Sequence, residues 1–417
     1  MELSLAYGHT RQSVVLPDTV QVVLLEPATE SAPAPSEALI AQALAEPIGS
    51  PPLGDCVRGA KRLVIVISDI TRPCPSAIML PPLLDALNAA GIPDDHITIV
   101  CALGLHRPHT ENERRSLVGE TVWERVEVVD SDPHDVIPLG TTAAGTPVEI
   151  TRLVAEADAI IAVGNIEYHY FVGYGGGLKA IVPGCASERT ISANHSMMTQ
   201  PEAVAARLDG NPVRMDLEEA AQLTNITFIL NALLDSNGHI SAVVAGDPVA
   251  AHRAGCAILD AHNQARLTAR VPITIASPGG YPKDINLYQA QKSLDNASRT
   301  VSDGGMLILV AECSEGVGHN VFEQWMREAP DPAACLARLE RGFVLGGHKA
   351  AAIARVAMQV YQIALVSSMP AEDVRTMGLV PYETVQAAVD QALACYGSDA
   401  SVVVMPHAAS TLPILSA

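Results

Sequence analysis

The sequence predicts an α/β protein built from two doubly wound domains, with an active-site cleft between the domains. Short apolar runs rich in Val and Ile alternate with helical patterns, which is typical of βαβ units with largely parallel sheets. The chain has 417 residues, more than one hydrophobic core usually serves. Only 4% of the residues are aromatic, which favours layers of helix on sheet over an aromatic-rich sandwich.

The predicted strands are the apolar runs, and the clearest predicted helices lie between them. The runs cover residues 63–67, 97–103, 126–129, 159–163, 226–230, 273–276, 306–310, 363–366 and 401–405. The helical patterns cover residues 83–90, 249–265 and 385–395. A long helix followed by a new strand near residues 264–272 predicts the domain boundary. We therefore expect an N-terminal domain of residues 1–265, which residues 402–417 could complete, and a C-terminal domain of residues 266–401.

Charge and composition narrow the classes of partner. The formal net charge of −20 argues against nucleic acid and anionic membranes, because both need a basic surface on the protein. There is no stretch of about 20 apolar residues and no pattern of a secretory signal. The eight cysteines include no CxxC pair, so neither a zinc ribbon nor a disulfide framework is indicated. We expect a cytoplasmic protein that acts on a small molecule and binds neither nucleic acid nor a membrane.

Polar residues follow two of the predicted strands, at the edge where ligands bind in open α/β sheets. After residues 63–67 come Asp69, Thr71 and Arg72. An arginine and a hydroxyl near a helix start suit a phosphate, whereas Asp69 suits a ribose hydroxyl. A turn with a surface ion pair would explain the same residues. His106 follows the run at 97–103, and by itself it is typical of a solvated loop histidine.

The densest segment runs from residue 164 to residue 184. Three consecutive glycines precede Lys179, but Gly and Lys are not adjacent and no Ser or Thr follows, so a Walker motif does not fit. The glycines let a flat ligand approach the backbone, and a lysine in apolar surroundings becomes a better nucleophile. His169 lies in this segment, and His195 lies near the end of a helix predicted to begin at about Ser187. A neutral imidazole is a competent metal ligand.

The C-terminal half offers one further group, Tyr288, Gln289 and Lys292. Residues three and four apart share a helix face. A lysine beside an amide donor would hold a small carboxylate. An exposed amphipathic face is the alternative interpretation.

Together these stretches resemble the nickel-pincer lactate racemase family, whose members are racemases or epimerases of 2-hydroxy acids. The resemblance spans both halves of the chain in the family's order and spacing. It is carried by Asp69-Ile70-Thr71-Arg72-Pro73, Gly104-Leu105-His106-Arg107-Pro108, the run from Glu167 to Gly184, Ala193-Asn194-His195-Ser196 and Tyr288-Gln289-Ala290-Gln291-Lys292.

The resemblance implies a cofactor and a role for each site residue. The cofactor would be nickel held by pyridinium-3,5-bisthiocarboxylic acid mononucleotide, made by separate maturation enzymes and accepting hydride from C2 of the substrate. The implied roles are covalent attachment for Lys179, nickel ligation for His195, acid/base catalysis for His106 and His169 (one for each enantiomer), nucleotide contacts for Asp69, Thr71 and Arg72, and substrate binding for Tyr288, Gln289 and Lys292, the last two through the substrate carboxylate.

One position departs from the family's pattern and leaves the substrate open. Lactate-acting members carry a second basic residue where this chain has Ile70. Malate or a larger hydroxy acid then becomes an alternative to lactate, with Arg107 or Lys283 as a source of positive charge.

Two other classes of function compete with the racemase hypothesis. One is a zinc-dependent hydrolase or lyase that uses His106, His169 and His195 as ligands. The other is a non-catalytic nucleotide-carrier module in which Lys179 holds the nucleotide.

Overall fold

The structure is a computed structural model that describes residues 1–27, 34–235, 238–328 and 331–416. The chain divides into two compact units. We call Glu30–Ala261 the middle unit, and Met1–Thr29 together with His262–Ala417 the terminal unit. Within the described residues, no helix combines the length and the apolar character needed to cross a membrane.

The chain begins with three strands of the terminal unit: β1 (Glu2–Tyr7), β2 (Thr10–Val15) and β3 (Gln21–Leu24). Strands β1 and β2 form an antiparallel hairpin. Apolar side chains of this hairpin, such as Leu5 and Val14, are buried in the core of the terminal unit.

The middle unit contains a six-stranded sheet with helices on both faces and two small two-stranded sheets. The strands of the whole unit are β4 (Leu63–Ser68), β5 (Ile97–Ala102), β6 (Glu127–Asp130), β7 (Val136–Thr141), β8 (Pro147–Thr151), β9 (Ala159–Asn165), β10 (Tyr168–His169), β11 (Gly173–Tyr174), β12 (Ile226–Leu234) and β13 (Ile240–Gly246), of which β7-β8 and β10-β11 form the two-stranded sheets. Its helices are α1 (Ser36–Ala45), α2 (Leu53–Cys56), α3 (Ser76–Ala89), α4 (Glu111–Val118), α5 (Glu120–Trp123), α6 (Arg152–Ala155), α7 (Glu188–Ser196), α8 (Pro212–Ala221) and α9 (Ala250–Asn263), and short 3₁₀ turns cover Asp94–His96, Gly177–Ala180 and Met197–Thr199.

The main sheet of the middle unit has the order β13-β12-β9-β4-β5-β6, and every neighbouring pair is parallel except β12 with β13. Alternate residues of a strand face opposite sides of the sheet. Ile65 and Ile161 pack on one side with Leu80 of α3, whereas Ala162 packs on the other side with Ala251 of α9. Burial on both faces explains why these strands are continuous apolar runs in the sequence.

The terminal unit completes its own sheet after the middle unit ends. Its later strands are β14 (Gln264–Leu267), β15 (Val271–Ala276), β16 (Val301–Val310), β17 (Gln362–Val366), β18 (Val380–Tyr382), β19 (Ser401–Met405) and β20 (Leu412–Leu415). Its helices are α10 (Leu287–Ser298), α11 (Asn320–Glu328), α12 (Pro332–Glu340), α13 (Gly347–Gln359), α14 (Ala371–Thr376) and α15 (Val385–Tyr396). The main sheet, β18-β17-β16-β15-β19-β3, is parallel throughout.

The structure confirms the predicted α/β class with parallel sheets. Each of the nine apolar runs is a strand, and the three helical patterns lie in α3, α9 and α15. The predicted cleft between the domains stays a prediction.

The division of the chain differs from the predicted domains at both termini. Residues 1–27 join the terminal unit because β3 pairs with β19 along its whole length. Residues 402–417 stay in that unit as well, because β19 also pairs with β15, and β20 pairs with β14. The boundary in the last turn of α9 falls between Ala261 and His262, four residues before the predicted one. The four residues of β3, Gln-Val-Val-Leu, do not indicate this distant pairing.

Candidate active site

The segments that carry Asp69, His106 and His169 leave the sheet of the middle unit at one edge. Strands β9, β4 and β5 are parallel neighbours, so their carboxyl ends lie at the same edge. The segments that begin at Ile166, Asp69 and Leu103 therefore leave the sheet side by side, as the ligand-binding loops of doubly wound folds do.

His106 is paired with Asp69 in these loops. Oδ2 of Asp69 lies 2.5 Å from Nδ1 of His106, and the Thr71 hydroxyl donates to Oδ1 of Asp69 at 2.8 Å. Asp69 is only 3% exposed. Burial raises the pKa of this carboxyl, but the hydrogen bonds from His106 and Thr71 and the charge of Arg72 together hold it below its ordinary value. An ionised Asp69 accepts a hydrogen bond from Nδ1–H of a neutral His106 ring, whose lone pair is then on Nε2.

The His106 loop is fastened to the end of the glycine-rich segment. Gly104 N donates to the carbonyl of Gly184 at 2.8 Å. The backbone N–H of Leu103 donates to the Ser131 hydroxyl, which in turn donates to the same Gly184 carbonyl. These bonds hold the backbone on which His106 sits.

His169 lies on the two-stranded turn of β10 and β11. The hydroxyls of Tyr168 and Tyr174, one on each strand, both donate to Asp260 of α9, at 3.0 and 2.7 Å. This shared carboxylate fixes the turn against the helix. Val172 N donates to Nδ1 of His169 at 3.3 Å, which places the proton of the neutral ring on Nε2.

The structure brings His169 and His195 into one aromatic cluster. The ring of Phe171 lies between them, with its centroid 4.6 Å from that of His169 and 5.0 Å from that of His195. Both contacts are edge to face. Phe171 was not singled out from the sequence, because one of four aromatic residues in a short run carries no distinguishing signal.

A buried asparagine orients His195, which is 7% exposed. The amide nitrogen of Asn194 donates to Asp216 at 2.8 Å and to the carbonyl of Val213 at 3.0 Å. Its oxygen therefore faces His195, whose Nδ1 donates to it at 3.0 Å. The lone pair of the neutral imidazole is then on Nε2, and such outer partners commonly fix a metal-binding histidine.

Lys179 lies on the 3₁₀ turn Gly177–Ala180, at the end of the three glycines. Buried polar side chains form hydrogen bonds to the backbone of these glycines. Gly177 N donates to the Asn231 side-chain oxygen at 2.7 Å, and His252 donates to the carbonyl of Gly175 at 2.8 Å. A Cβ added at Gly176 would lie 2.9 Å from Asn231 Oδ1 and 2.9 Å from the carbonyl oxygen of Asn165. Any side chain at Gly176 would overlap these two oxygens, so only glycine fits at this position.

A buried arginine fixes the form of His252. Arg214 is 1% exposed, donates to Nδ1 of His252 at 2.7 Å and forms an ion pair with Glu218 at 2.6 Å. Burial and the charge of Arg214 lower the pKa of His252 well below its ordinary value. The ring is neutral and its proton is on Nε2, toward Gly175. The sequence analysis missed Arg214 and His252, which lie in α8 and α9 without any local motif.

The three predicted substrate-binding residues belong to the terminal unit. Tyr288, Gln289 and Lys292 lie in the first turns of α10, as predicted, and the side chain of Asn286 caps this helix by accepting from Gln289 N at 3.0 Å. Lys349 Nζ lies 3.8 Å from the centroid of the Tyr288 ring and donates to its carbonyl oxygen. All three residues are half-buried.

Among the described residues, one group of three side chains is close enough to share a metal: Cys101, His109 and Asp130. Both ring nitrogens of His109 are already engaged, Nδ1 with Asp130 at 2.6 Å and Nε2 with the N–H of Ile70 at 3.1 Å. Burial raises the pKa of the Cys101 thiol to about 12, so the thiol is protonated. His109 and Asp130 therefore form a hydrogen-bonded pair. The three histidines of the zinc hypothesis do not form such a group in the described part of the chain.

Comparison with known proteins places both halves of the chain in one family. Residues 7–206 match the model "Lactate racemase N-terminal domain", and residues 267–412 match "Lactate racemase C-terminal domain". A lactate racemase of Thermoanaerobacterium thermosaccharolyticum is 33% identical over 98% of each chain, and one of Lactiplantibacillus plantarum is 34% identical over 88% of each chain.

Two solved structures are similar to this one. The lactate racemase apoprotein of Thermoanaerobacterium thermosaccharolyticum aligns with a TM-score of 0.92 at 31% identity, over 99% of this chain and 100% of that chain. A protein of Thermotoga maritima aligns with a TM-score of 0.68 at 18% identity, over 93% of this chain and 100% of that chain. The second likeness concerns the fold alone.

We predict that Gly177→Ala destabilises the middle unit more than Gly145→Ala does. Both glycines have positive φ, +57° and +89°, but a Cβ at Gly177 would lie 2.7 Å from the His252 ring, whereas a Cβ at Gly145 meets nothing within 4 Å. The left-handed conformation alone costs about 1–2 kcal/mol, and the overlap should add about 1–3 kcal/mol. Urea unfolding of both variants measures the difference. Equal losses would contradict the packing described for this turn.

Proposed function

Because the chain belongs to the lactate racemase family, we propose that it is a nickel-dependent racemase or epimerase of 2-hydroxy acids. The observation that carries this proposal is the sheet edge of the middle unit. There, His106 is paired with a carboxylate, His169 and His195 share the ring of Phe171, and Lys179 follows a turn that excludes side chains.

The residues present fit the cofactor that the family implies. His195 offers a lone pair on Nε2 as a nickel ligand, and Lys179 is the residue for covalent attachment. Thr71 and Arg72 would contact the nucleotide; Asp69 would do so as well, although both of its oxygens already accept bonds from Thr71 and His106. When bound, the cofactor would supply nickel and an acceptor for the hydride that leaves C2. Soft donors around nickel are chemically reasonable.

In their neutral forms His106 and His169 are opposite tautomers. The lone pair of neutral His106 is on Nε2, because its Nδ1–H donates to Asp69. The proton of neutral His169 is on Nε2, because Val172 N donates to Nδ1. One ring, as the neutral imidazole, can accept the hydroxyl proton of a 2-hydroxy acid. The other ring, as the imidazolium, can donate a proton to the keto oxygen, and the roles exchange for the opposite enantiomer. Such general acid/base help is typically worth about 10²–10⁴-fold.

The substrate would be held by the terminal unit through Tyr288, Gln289 and Lys292, with the last two binding the carboxylate. The family pattern leaves lactate, malate and larger hydroxy acids as candidates, because Ile70 replaces a basic residue. Arg107 is a poor source of compensating charge, since two of its nitrogens bind Glu113, one of them at 2.9 Å.

The competing functions have less support. A shared zinc site would require the three histidines to converge, and a carrier module would not need the acid/base pair of His106 and Asp69. We further propose that the protein works in the cytoplasm and receives its cofactor from maturation enzymes. All eight cysteines lie within the described residues and are free thiols, which suits a reducing compartment.

We predict that protein produced together with the cofactor's biosynthetic enzymes carries a covalent nucleotide on Lys179. Intact-mass and peptide spectra would detect the adduct, and Lys61→Ala, which removes an exposed lysine of the same unit, serves as the control. His195→Ala should lower the nickel content, while His106→Ala and His169→Ala should retain it, because only His195 is proposed as a ligand. An unmodified Lys179 in active protein, or equal nickel loss in all three histidine variants, would refute this assignment.

We also predict that a 2-hydroxy acid deuterated at C2 keeps its deuterium during racemisation in ordinary water. Hydrogen that leaves C2 with its electron pair does not exchange with solvent, whereas a proton held by an imidazole does. Mass spectrometry of both enantiomers measures retention, and unlabelled substrate in heavy water provides the reverse control. Deuterium lost as fast as the enantiomers interconvert would mean a two-base proton transfer instead.

A third expectation concerns substrate choice. Ile70 is 41% exposed and directly follows Asp69, so Ile70→Arg would add a cation beside the His106–Asp69 pair. The preference should shift toward lactate, because a charge-assisted hydrogen bond to its carboxylate is worth roughly 1.5–3 kcal/mol. Ratios of kcat/KM across single-enantiomer 2-hydroxy acids measure the shift, and Ile70→Met controls for side-chain length. An unchanged ranking would show that Ile70 lies outside the substrate's surroundings.

A further inference from the structure

We propose that His109 and Asp130 are positioning residues that hold the catalytic pair of His106 and Asp69 in place. The geometric part of this inference stands on the middle unit alone. Its consequence for turnover rests on the proposed racemase function.

His109 is a buried histidine whose two nitrogens have different partners. Its side chain is 1% exposed, and Asp130, at the end of β6, accepts both its backbone N–H at 2.8 Å and its ring Nδ1 proton at 2.6 Å. Arg114 lies 3.4 Å from the same carboxylate. A carboxylate at Nδ1 makes that nitrogen the donor, so Nε2 of the neutral ring is an acceptor.

That acceptor binds the backbone next to the catalytic pair. Ile70 N donates to Nε2 of His109 at 3.1 Å, and Ile70 is the residue after Asp69. His106 and His109 are three residues apart on one loop, and Asp69 and Ile70 are neighbours on the other. Two bonds therefore join the loops, one from His106 to Asp69 and one from Ile70 to His109, and together with the backbone they close a ring.

This ring fixes the backbone of Asp69 relative to His106. With Ile70 N anchored, the backbone at Asp69 cannot move away from the His106 loop without breaking a second, partly buried hydrogen bond. Leaving a backbone N–H without an acceptor is costly where water cannot replace it. The carboxylate of Asp130 contributes little net stability compared with apolar packing. Its role here is to set the tautomer in which His109 accepts from Ile70 N.

Two substitutions separate the two bonds of His109. His109→Gln can place an amide oxygen near the former Nε2 and keep an acceptor for Ile70 N, while it loses the donor to Asp130. His109→Asn can keep the donor to Asp130, while its shorter side chain leaves Ile70 N without an acceptor. Both variants introduce an uncharged amide, so they form a matched pair.

The first measurement uses the unloaded full chain and does not depend on turnover. Two-bond ¹H–¹⁵N correlation spectra distinguish the tautomers of His106. We expect the Nδ1–H form in the wild type and in His109→Gln, and a larger share of the Nε2–H form in His109→Asn. Identical His106 signals in all three proteins would overturn the proposal.

The second measurement uses the cofactor-loaded protein. We expect His109→Asn to lower kcat by about 10- to 100-fold, the order of loss that a small displacement of a catalytic group causes, with little change in KM. His109→Gln should keep most of the rate. A full rate in His109→Asn, or equal losses in both variants, would contradict the inference. A wild type that turns over no 2-hydroxy acid would instead refute the proposed function and leave the tautomer result standing.

Should His109→Asn fail to fold, Asp130→Asn tests the same link. An amide at this position holds the Nδ1 proton of His109 less strongly, so the proposal requires the His106 signals to move toward the Nε2–H form. Unchanged His106 signals in a folded Asp130→Asn protein would refute the role of Asp130.

Discussion

The parallel order β9-β4-β5 is the constraint on which the candidate site depends. Because the three strands run in the same direction, their last residues lie at one edge of the sheet. Residues separated by about a hundred positions in the chain, such as Asp69 and Lys179, therefore lie on adjoining segments of that edge. No local feature of either segment could bring them together without the hydrogen bonds between the strands.

In the middle unit four histidines are each oriented by a side-chain partner. A carboxylate, an amide or a guanidinium faces one nitrogen and thereby decides which chemistry the other nitrogen can perform. The pairs are Asp69 with His106, Asn194 with His195, Asp130 with His109 and Arg214 with His252. Neutral imidazoles with an assigned tautomer can serve as base, ligand or backbone anchor, and a solvated histidine has no such fixed role.

The support beneath Lys179 is polar and fully buried, which has a cost in folding free energy. Arg214 and His252 are each 1% exposed, and Asn231 likewise. Apolar side chains of similar volume would stabilise the unit at least as well, but they could not hold the backbone of Gly175 and Gly177. The arrangement therefore stabilises one conformation of the glycine turn rather than the unit as a whole.

The sequence by itself determined the α/β class, the main strands and the residues with chemical potential. Continuous apolar runs mark strands that are buried on both faces. The helix predicted to begin at about Ser187 is α7, which the side chain of Ser187 caps. Motifs at the strand ends named Lys179 and the three histidines, because these motifs are contiguous in the chain.

Only the tertiary structure decided which residues meet. The pairing of β3 with β19 joins residues 380 positions apart. The four residues of β3, Gln-Val-Val-Leu, do not indicate which strand they will pair with. In the same way, Asp69 pairs with His106 only because two loops meet. Arg214 and Asp130 also act through partners elsewhere in the chain. A sequence records the type of each side chain, whereas hydrogen bonds between distant segments depend on how strands are ordered in the sheet.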